Sequence, residues 1–243
     1  MSSHYIIGDI HEVIKNLDDK SVDLIYTNPP FGTTQKVWDV GLDWDTLFTE
    51  MYRVLKDTGV ILLHTAKPFT YKIIATKEPK YHYTWVKKNH THFFHAKKQP
   101  LRKLEEVLVY YKQAKHTYNP QMIGDELIVY KVAGGSKMTE YYGKAGQKHK
   151  KYTSVQHGKY PHDFLGEWAK VSQKKTPKSV PDEITKRMIK TYSNDGDTIL
   201  DMTCCSRGNG NIAKALGRNY IGVDISDEFL QETPCENNVS IGI

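Results

Sequence analysis

Residues 22–31 read Val-Asp-Leu-Ile-Tyr-Thr-Asn-Pro-Pro-Phe, an apolar run that ends in two prolines and an aromatic residue. A short apolar run bounded by turn-forming residues is typical of a strand buried inside a sheet. Proline has no amide hydrogen to donate to a neighbouring strand, so the pair Pro29 and Pro30 stops this one. The stretch therefore predicts a buried strand that ends in a stiff turn at the edge of a sheet.

Strand-like and helix-like segments alternate on both sides of this stretch, which predicts an α/β fold. Further strands are predicted at residues 5–7, 60–63, 81–86, 106–111, 198–201 and 220–224. Helices are predicted after Asp9 to about residue 17, and at residues 44–55, 69–76, 180–192 and 211–216. Residues 57–59, Asp-Thr-Gly, are interpreted as a turn.

The composition is that of an ordinary globular protein. The 243 residues are 39% hydrophobic and 26% charged, and the length suffices for one sizeable core, with or without a small insertion. The apolar runs are too short to span a membrane, and the N-terminus lacks signal-peptide features, so a cytoplasmic protein without a membrane partner is expected. A net charge of +6 permits a polyanionic partner without requiring one.

The cysteines and histidines indicate neither a disulfide framework nor a metal site. There are three cysteines, Cys204, Cys205 and Cys235, and the adjacent pair has neither zinc-site nor thioredoxin spacing. The cluster of His90, His92 and His95 also lacks metal-ligand spacing and is interpreted as part of a polar loop. No metal is therefore expected.

Apolar periodicity is weak between residues 113 and 175. This segment is rich in glycine, tyrosine, histidine and lysine. It is interpreted as an irregular insertion, and a solvated loop is the alternative interpretation.

The C-terminal region has the layout of a nucleotide-binding βαβ unit. A strand ends at Asp201, a loop with Gly208 and Gly210 follows, and the next strand ends at Asp224. An acid at the end of the second strand can accept both ribose hydroxyls. Asp201 would repel a pyrophosphate but would suit a cationic ligand, which favours S-adenosylmethionine over NAD. Many βαβ units bind nothing, so a structural role remains the alternative.

The N-terminal turn offers the chemistry of amine recognition. The Asn28 side-chain oxygen and the Pro29 carbonyl are acceptors that Pro30 helps to hold in place. Together they can take the two hydrogens of an exocyclic amine and direct its lone pair outward. Phe31 offers an apolar face to a planar base, although a proline-terminated strand with a buried aromatic is the structural alternative.

These residues resemble a known family. Asn28-Pro29-Pro30-Phe31 is similar to the (D/N/S)PP(Y/F) motif of DNA adenine-N6 and cytosine-N4 methyltransferases. Residues 32–39, 89–112 and 117–121 resemble a phage and prophage branch of that family, and residues 217–224 match its second cofactor strand. The likeness covers nearly the whole chain except about residues 124–170.

The motif order resembles the β group of the family, in which the catalytic motif precedes the cofactor loop. That resemblance implies a circularly permuted, Rossmann-like methyltransferase fold with an inserted target-recognition region. The expected organisation is a catalytic half (1–112), a target-recognition insertion (113–175) and a cofactor-binding half (176–243). It also implies a double-stranded DNA partner, with lysines along the phosphates that position more than they specify.

The resemblance assigns a role to each matched residue. It implies that Asn28, Pro29, Pro30 and Phe31 hold a flipped base, that Asp201 binds the methionine amino end of S-adenosylmethionine, that Asp224 binds its ribose, and that Asp9 contacts its adenine. The remaining cofactor-binding residues are expected to be Thr203, Ser206, Gly208, Gly210, Thr176, Pro177 and Lys178. The expected DNA-binding residues are Lys97, Lys98, Arg102, Lys148, Lys150 and Lys151.

The cofactor loop departs from the family pattern at two positions. Cys205 and Arg207 stand where the family has glycines, and a side chain at positive φ costs on the order of 1 kcal/mol. Either Gly208 and Gly210 take over the tight turn, or cofactor affinity is weak or lost. The cysteines lie on the cofactor loop, not under the target ring, which argues against a cysteine nucleophile.

Asn28 favours adenine N6 as the target, because a serine at this position is the variant that leans toward cytosine N4. The alternatives are a cytosine-N4 enzyme, a cofactor-deficient DNA-binding relative, and a protein-glutamine methyltransferase. The permuted order and the lysine-rich insertion argue against the last of these. A homodimer and a restriction partner are both possible.

Overall fold

A computed structural model describes residues 1–35, 39–132, 152–168 and 180–228. The strands are β1 Ser3–Ile7, β2 Val22–Thr27, β3 Leu55–Thr65, β4 Tyr81–Thr91, β5 Arg102–Tyr111, β6 Ile123–Val132, β7 Tyr152–Lys159, β8 Phe164–Trp168, β9 Thr198–Asp201 and β10 Asn219–Asp224. The α-helices are α1 Ile10–Val13, α2 Trp44–Val54, α3 Phe69–Thr76, α4 Asp182–Tyr192 and α5 Gly208–Ala215, and short 3₁₀ turns cover Ile14–Asn16 and Phe93–His95.

Eight of these strands form one mixed sheet in the order β1-β10-β9-β2-β3-β5-β4-β8. The first five in that order pair in parallel, and β5 runs antiparallel to both of its neighbours. The last two strands of the chain thus lie between the first two. This order brings the C-terminal βαβ unit directly beside the strand that leads into Asn28, as the permuted arrangement predicts.

Helices cover both faces of the sheet, which confirms the predicted α/β class. Helices α1, α2 and α3 pack on one face against Ile25, Ile61, Leu63 and Leu200. Helices α4 and α5 pack on the other face against Leu24, Val60, Leu62 and Ile199. Because β2 alternates its side chains between two covered faces, Leu24, Ile25 and Tyr26 are all buried, and burying each aliphatic side chain contributes about 1.5–3 kcal/mol.

The interpretation of residues 113–175 as irregular was wrong where the structure describes them. Strands β6 and β7 pair antiparallel, with Val129 opposite Val155, and β8 pairs in parallel with β4. Many of the apolar side chains of β6 and β7 are exposed. Hydrophobic periodicity could not reveal strands that are held by backbone pairing more than by a buried face.

The turn predicted at residues 57–59 was also wrong. These residues belong to β3, whose pairing with β2 shifts register between Val22 and Leu24. Gly59 lies close to the Asp23 carbonyl oxygen, where a Cβ atom would stand 2.9 Å away. The glycine therefore serves a close backbone approach at an irregularity in the strand and not a chain reversal.

The chain divides into two compact units. Residues 120–162 form one unit, and the rest of the chain forms the other, which contains the eight-stranded sheet. Among the helices that the structure describes, none combines the length and apolarity needed to cross a membrane.

Candidate active site

The parallel strands bring the predicted site residues to one edge of the sheet. Leu24 pairs with Ile199 and Ile25 with Leu200, so β2 and β9 end side by side. The pairing of β1 with β10 continues to Ile7 and Asp224, and the Gly8 amide donates to the Asp224 carbonyl. The turn at Asn28, the loop after Asp201, the end of β10 and the start of α1 therefore share the carboxyl edge, where α/β sheets bind ligands.

Two hydroxyl groups join the predicted catalytic strand to the predicted cofactor loop. The Thr27 Oγ1 atom at the end of β2 lies 3.0 Å from the Thr203 Oγ1 atom. Thr27 is fully buried and Thr203 is half-buried. The contact fixes the spacing between the turn that begins at Asn28 and the loop that begins at Asp201.

The aromatic residue of the turn is stacked on the core. The Phe31 ring lies 5.0 Å from the Phe69 ring at an interplanar angle of 20°, and Phe69 in turn meets Trp44 edge-on. Pro29 is buried, and Asn28 and Phe31 are half-buried. One face of the Phe31 ring is thus covered by Phe69, which fixes the orientation of the ring at the sheet edge.

Asp39, which is not among the predicted site residues, closes the loop that follows this turn. Its carboxylate accepts hydrogen bonds from the amides of Gly32, Thr33 and Thr34 at 2.8, 2.9 and 2.6 Å. The Thr34 hydroxyl donates to it as well, at 2.7 Å. Gly32 has a φ of +62°, which aims successive amides at one acceptor. Hydrophobic patterning carries no signal for such a residue.

The Asp201 carboxylate lies inside the protein, beneath the cofactor loop. It accepts hydrogen bonds from the Tyr220 hydroxyl at 2.9 Å, the Asn209 amide nitrogen at 3.0 Å and the Thr203 backbone amide at 3.3 Å. Burial raises the pKa of Asp201, and the bonds from Asn209 and Tyr220 oppose that shift. In this arrangement Asp201 ties the start of the loop to α5 and β10.

The tight turn of the loop is made by Cys205 and not by the downstream glycines. Cys205 has a φ of +52°, while Gly208 and Gly210 lie within α5. The alternative in which those two glycines take over the turn is therefore wrong. Gly210 instead permits close packing, because a Cβ atom there would overlap the Tyr5 hydroxyl and the Tyr220 ring.

Asp224 is held by backbone amides on both of its carboxylate oxygens. The Cys205 amide donates to Oδ2 at 2.7 Å and the Ser226 amide donates to Oδ1 at 3.1 Å. Each carboxylate oxygen has a second lone pair. The left-handed conformation of Cys205 thus serves to aim its amide at the acid that is predicted to bind ribose.

Arg207 is folded against the sheet. It is 5% exposed, and its guanidinium lies 4.9 Å from the centroid of the Tyr5 ring. This cation–π contact packs the side chain onto β1.

Asp9 caps helix α1 at the same edge. Its Oδ1 atom accepts from the His11 amide and lies 2.9 Å from His11 Nδ1. These two contacts lower the pKa of Asp9, so the group is a carboxylate at neutral pH. Its second oxygen faces an exposed surface, since 55% of the side chain is accessible.

Both thiols of the loop are held in the protonated form. Burial raises the pKa of Cys204, and burial together with the charges of Asp224 and Asp201 raises the pKa of Cys205 to about 12. Neither sulfur is therefore a thiolate nucleophile at neutral pH. Within the described parts of the chain, no three His, Cys, Asp or Glu side chains are grouped to hold a metal ion.

A buried polar chain that the sequence did not reveal runs below the site. His64 Nε2 lies 3.0 Å from the Tyr26 hydroxyl, and that hydroxyl lies 2.9 Å from Thr185 Oγ1 on α4. Thr185 then reaches the Asn209 side chain at 3.5 Å. Asn209 is also a donor to Asp201, so this chain connects β3 to the floor of the cofactor loop.

The remaining predicted residues fall in different places. Ser206 is half-buried on the cofactor loop. Lys97 and Lys98 are exposed on the connection between β4 and β5, and Arg102 begins β5. Six predicted residues lie outside the described part of the chain: Thr176, Pro177, Lys178, Lys148, Lys150 and Lys151.

Comparison with known proteins identifies the chemistry of this architecture. A family described as DNA methylase, of N6 and N4 methyltransferases, matches residues 22–234. The DNA adenine methyltransferase YhdJ of Escherichia coli (strain K12) is 26% identical over 245 residues, which cover 93% of this chain and 79% of that protein.

Two solved structures have the same fold. The M1.HpyAVI–SAM complex superposes with a TM-score of 0.58 at 18% identity, covering 94% of this chain and 95% of the other. The cytosine-N4-specific PvuII DNA methyltransferase superposes with a TM-score of 0.63 at 14% identity, covering 94% and 84%. The sheet is thus that of the Rossmann-like methyltransferases, as predicted.

Proposed function

This chain belongs to the DNA methylase family of N6 and N4 methyltransferases, and from that membership we propose that it transfers a methyl group from S-adenosylmethionine to the N6 amine of adenine in double-stranded DNA. The observation that carries the proposal is the 3.0 Å contact between Thr27 and Thr203. It holds an amine-binding turn and a cofactor loop side by side at one sheet edge.

The target base has to leave the duplex, because its amine is paired inside it. Asn28 Oδ1 and the Pro29 carbonyl accept the two amine hydrogens, and Phe31 stacks on the base from its fixed position against Phe69. The amine forms the new N–C bond in line with the breaking C–S bond, and a proton leaves the nitrogen. Residues of the chain contribute positioning and acceptors, without a covalent intermediate.

S-Adenosylmethionine supplies a methyl group activated by its sulfonium. Asp224 is suited to the ribose hydroxyls, because each of its oxygens accepts one amide and keeps a lone pair. Asp9 has an accessible oxygen for the adenine amine. Arg207 packs on Tyr5, so the departure from the family pattern at this position is compatible with a bound cofactor.

Adenine is favoured over cytosine by two observations. Asn28, and not serine, stands at the first motif position. A relative named as an adenine methyltransferase is similar over 93% of the chain. Cytosine N4 is the alternative target, since the architecture is also that of the cytosine-N4-specific PvuII enzyme.

We further propose that residues 113–175 are the target-recognition insertion between a catalytic half (1–112) and a cofactor-binding half (176–243). The antiparallel pair β6–β7 supports this, because a two-stranded ribbon fits the major groove of DNA. A homodimer stays a prediction.

Transfer of labelled methyl groups tests the proposal. The protein is incubated with tritiated S-adenosylmethionine and unmethylated DNA, and the DNA is digested to nucleosides. Label is expected in N6-methyladenosine, and label in N4-methylcytidine would move the target to cytosine. Absence of both label and cofactor binding by calorimetry would indicate the second candidate, a cofactor-deficient DNA-binding relative, which the positive φ of Cys205 favours.

The turn is tested by Asn28→Ala. Transfer should be abolished while binding to duplex DNA survives, because the amine loses one of its two proposed acceptors and the proposed phosphate contacts lie elsewhere in the chain. Asn16→Ala, in the 3₁₀ turn after α1, is the matched control and should methylate like the unmodified protein. Loss of both transfer and binding in Asn28→Ala would point to a structural role instead.

A further inference from the structure

Two phenylalanines stand in solvent at the tip of the β4–β5 hairpin. Phe93 is 63% exposed and Phe94 is 102% exposed. Isolated exposed apolar side chains are common, but two adjacent phenyl rings at one tip are not explained by packing.

The tip is an ordered turn and not a loose loop. His92 adopts a left-handed conformation with φ +73°, and Phe93–His95 form a 3₁₀ turn. The His95, Ala96 and Lys98 amides donate to the His92, Phe93 and His95 carbonyls at 3.0, 3.1 and 2.8 Å. The Phe94 ring is thus presented on a preformed backbone, two residues after a left-handed residue of the kind that is found at functional sites.

The hairpin projects past the edge that carries the site. Thr65, the last residue of β3, pairs with Glu106 of β5. Because β5 runs antiparallel, its residues 102–105 lie beyond the end of β3. At about 3.4 Å per residue, these four residues extend about 14 Å past that end. The strand order places β5 two strands from β2, about 10 Å sideways from the turn at Asn28.

A buried ion pair stiffens the projecting part. Lys87 of β4 is 3% exposed, and its Nζ atom lies 2.9 Å from the Glu105 carboxylate of β5. The pair lies where the hairpin leaves the sheet, so the position of the tip relative to the edge is defined.

The hairpin is cationic throughout. Residues 88–104 contain five Lys or Arg residues, three histidines and no Asp or Glu. The cations are Lys88, Lys97, Lys98, Arg102 and Lys103. The positive charges of the hairpin complement the phosphates of duplex DNA. The aromatic rings at its tip complement the flat faces of the stacked bases.

We propose that Phe94 is a wedge that inserts into the base stack of duplex DNA, with Phe93 beside it, and fills the space left when the target base turns out toward Asn28. The proposal rests on the proposed function, since it names how that site obtains its substrate. Lys97 and Lys98 hold the phosphates on either side of the opened step. The side chain acts on the DNA and does not touch the reacting amine.

Binding to a duplex with a ready-made gap tests the wedge without methyl transfer. Fluorescence anisotropy, at one fixed salt concentration, compares an intact duplex with the same duplex carrying a central abasic site. Because stacking of a base on an aromatic ring is worth about 1–3 kcal/mol, the protein should prefer the abasic duplex about tenfold. Phe94→Ala should lose this preference and keep its affinity for the intact duplex, and Phe94→Trp should retain both.

Two controls separate the wedge from general effects. Leu104→Ala removes another exposed apolar side chain of the hairpin, 48% exposed, and should keep the preference. Lys97→Gln with Lys98→Gln should weaken binding to both duplexes alike, because phosphate contacts do not sense the gap.

The proposal is overturned if the protein shows no preference for the abasic duplex, or if Phe94→Ala keeps it. It is also overturned if Phe94→Ala instead changes the oligomeric state in sedimentation, because the tip would then be a contact between copies. If the protein transfers methyl groups but does not prefer the abasic duplex, only the wedge role of Phe94 is rejected. The preference without methyl transfer would remove only the proposed enzymatic activity.

Discussion

Thr27 and Thr203 are 176 positions apart in the chain, yet their hydroxyl oxygens lie 3.0 Å apart. One hydroxyl ends the strand that leads into Asn28, and the other stands at the start of the loop that follows Asp201. This pair is a direct link between the half of the site that is proposed to hold the base and the half that is proposed to hold the methyl donor.

Replacing either hydroxyl by a methyl group should weaken that link. Thr27→Val and Thr203→Val should each lower the free energy of unfolding by about 1 kcal/mol, because the partner hydroxyl loses its bond in a buried place. The double variant should lose less than the sum, with a coupling of about 0.5–1.5 kcal/mol. Urea unfolding measures the stability and calorimetry the affinity for S-adenosylmethionine.

Thr76→Val serves as the matched control, since Thr76 is half-buried and its hydroxyl donates to the Lys72 carbonyl of its own helix. It should change stability by less than about 0.5 kcal/mol. Strictly additive losses in the double variant would show that the two hydroxyls do not act as a unit.

Asp39→Asn should impair catalysis more than cofactor binding. The amide keeps the size of the side chain, but it loses one of the two oxygens that accept the Gly32, Thr33 and Thr34 amides. A hydrogen bond to a charged group is worth about 1.5–3 kcal/mol, so kcat should fall about tenfold or more as the turn at Asn28 loosens.

Steady-state kinetics with both substrates checks this expectation. The KM for S-adenosylmethionine should stay nearly unchanged, because the loop that Asp39 closes follows the turn that is proposed to bind the base. Asp57→Asn, at an exposed carboxylate paired with Lys20, should behave like the unmodified protein. A raised KM for the cofactor with normal kcat would contradict the assignment.

Cys205 and Arg207 stand where the family has glycines, and replacing each by glycine should have opposite effects on stability. Cys205 has a φ of +52°, so Cys205→Gly removes strain of about 1 kcal/mol, partly offset by the added freedom of glycine in the unfolded chain. Stability should rise slightly or stay unchanged. Arg207→Gly removes a buried side chain that packs on Tyr5 and should cost about 2 kcal/mol or more.

Thermal unfolding and calorimetry of both variants distinguish strain from packing. Affinity for S-adenosylmethionine should be kept or improved in Cys205→Gly, because its amide still reaches Asp224. Destabilisation by Cys205→Gly of the same size as by Arg207→Gly would mean that the cysteine side chain is itself needed.

Hydrophobic patterning and turn residues were sufficient to predict the buried strands and where they end. The strand that ends at Thr27 could be predicted because a strand buried on both faces consists mostly of apolar residues. Its end could be predicted because the prolines that follow cannot continue the backbone pairing. The edge position of Asp201 and Asp224 followed from the same logic. The pairing of β6 with β7 was missed because its side chains are largely exposed, so no hydrophobic period marks it.

The contacts within the candidate site could not be predicted from the sequence, for a different reason. The Asp39 carboxylate is recruited by backbone amides, which carry no residue identity. The contacts of Asp201 with Asn209 and Tyr220 depend on how β9, α5 and β10 pack, and each is a common residue in its own element. A single sequence records which side chains are present, but not which of them the tertiary structure brings together.

His64 gives the protein a specific sensitivity to acid. The imidazole is 1% exposed and is bound to Tyr26, and burial lowers its pKa from 6.5 to about 3. Between about pH 6.5 and pH 3, His64 is protonated in the unfolded chain but stays neutral in the folded protein. The free energy of unfolding therefore falls as the pH falls, by about 1.4 kcal/mol per pH unit, and the loss levels off below about pH 3.

His64→Gln isolates this contribution, because glutamine can donate to the Tyr26 hydroxyl but does not titrate. The unmodified protein should be the more stable at pH 7.5, and its advantage should shrink by about 2 kcal/mol at pH 5. Urea unfolding at the two pH values measures the difference. His82→Gln, on an exposed position of β4, should leave the pH dependence as it is. An advantage that is the same at both pH values would show that the folded protein protonates His64 as readily as the unfolded chain does, and the chain from His64 through Tyr26 to Thr185 would then carry a charge at pH 5.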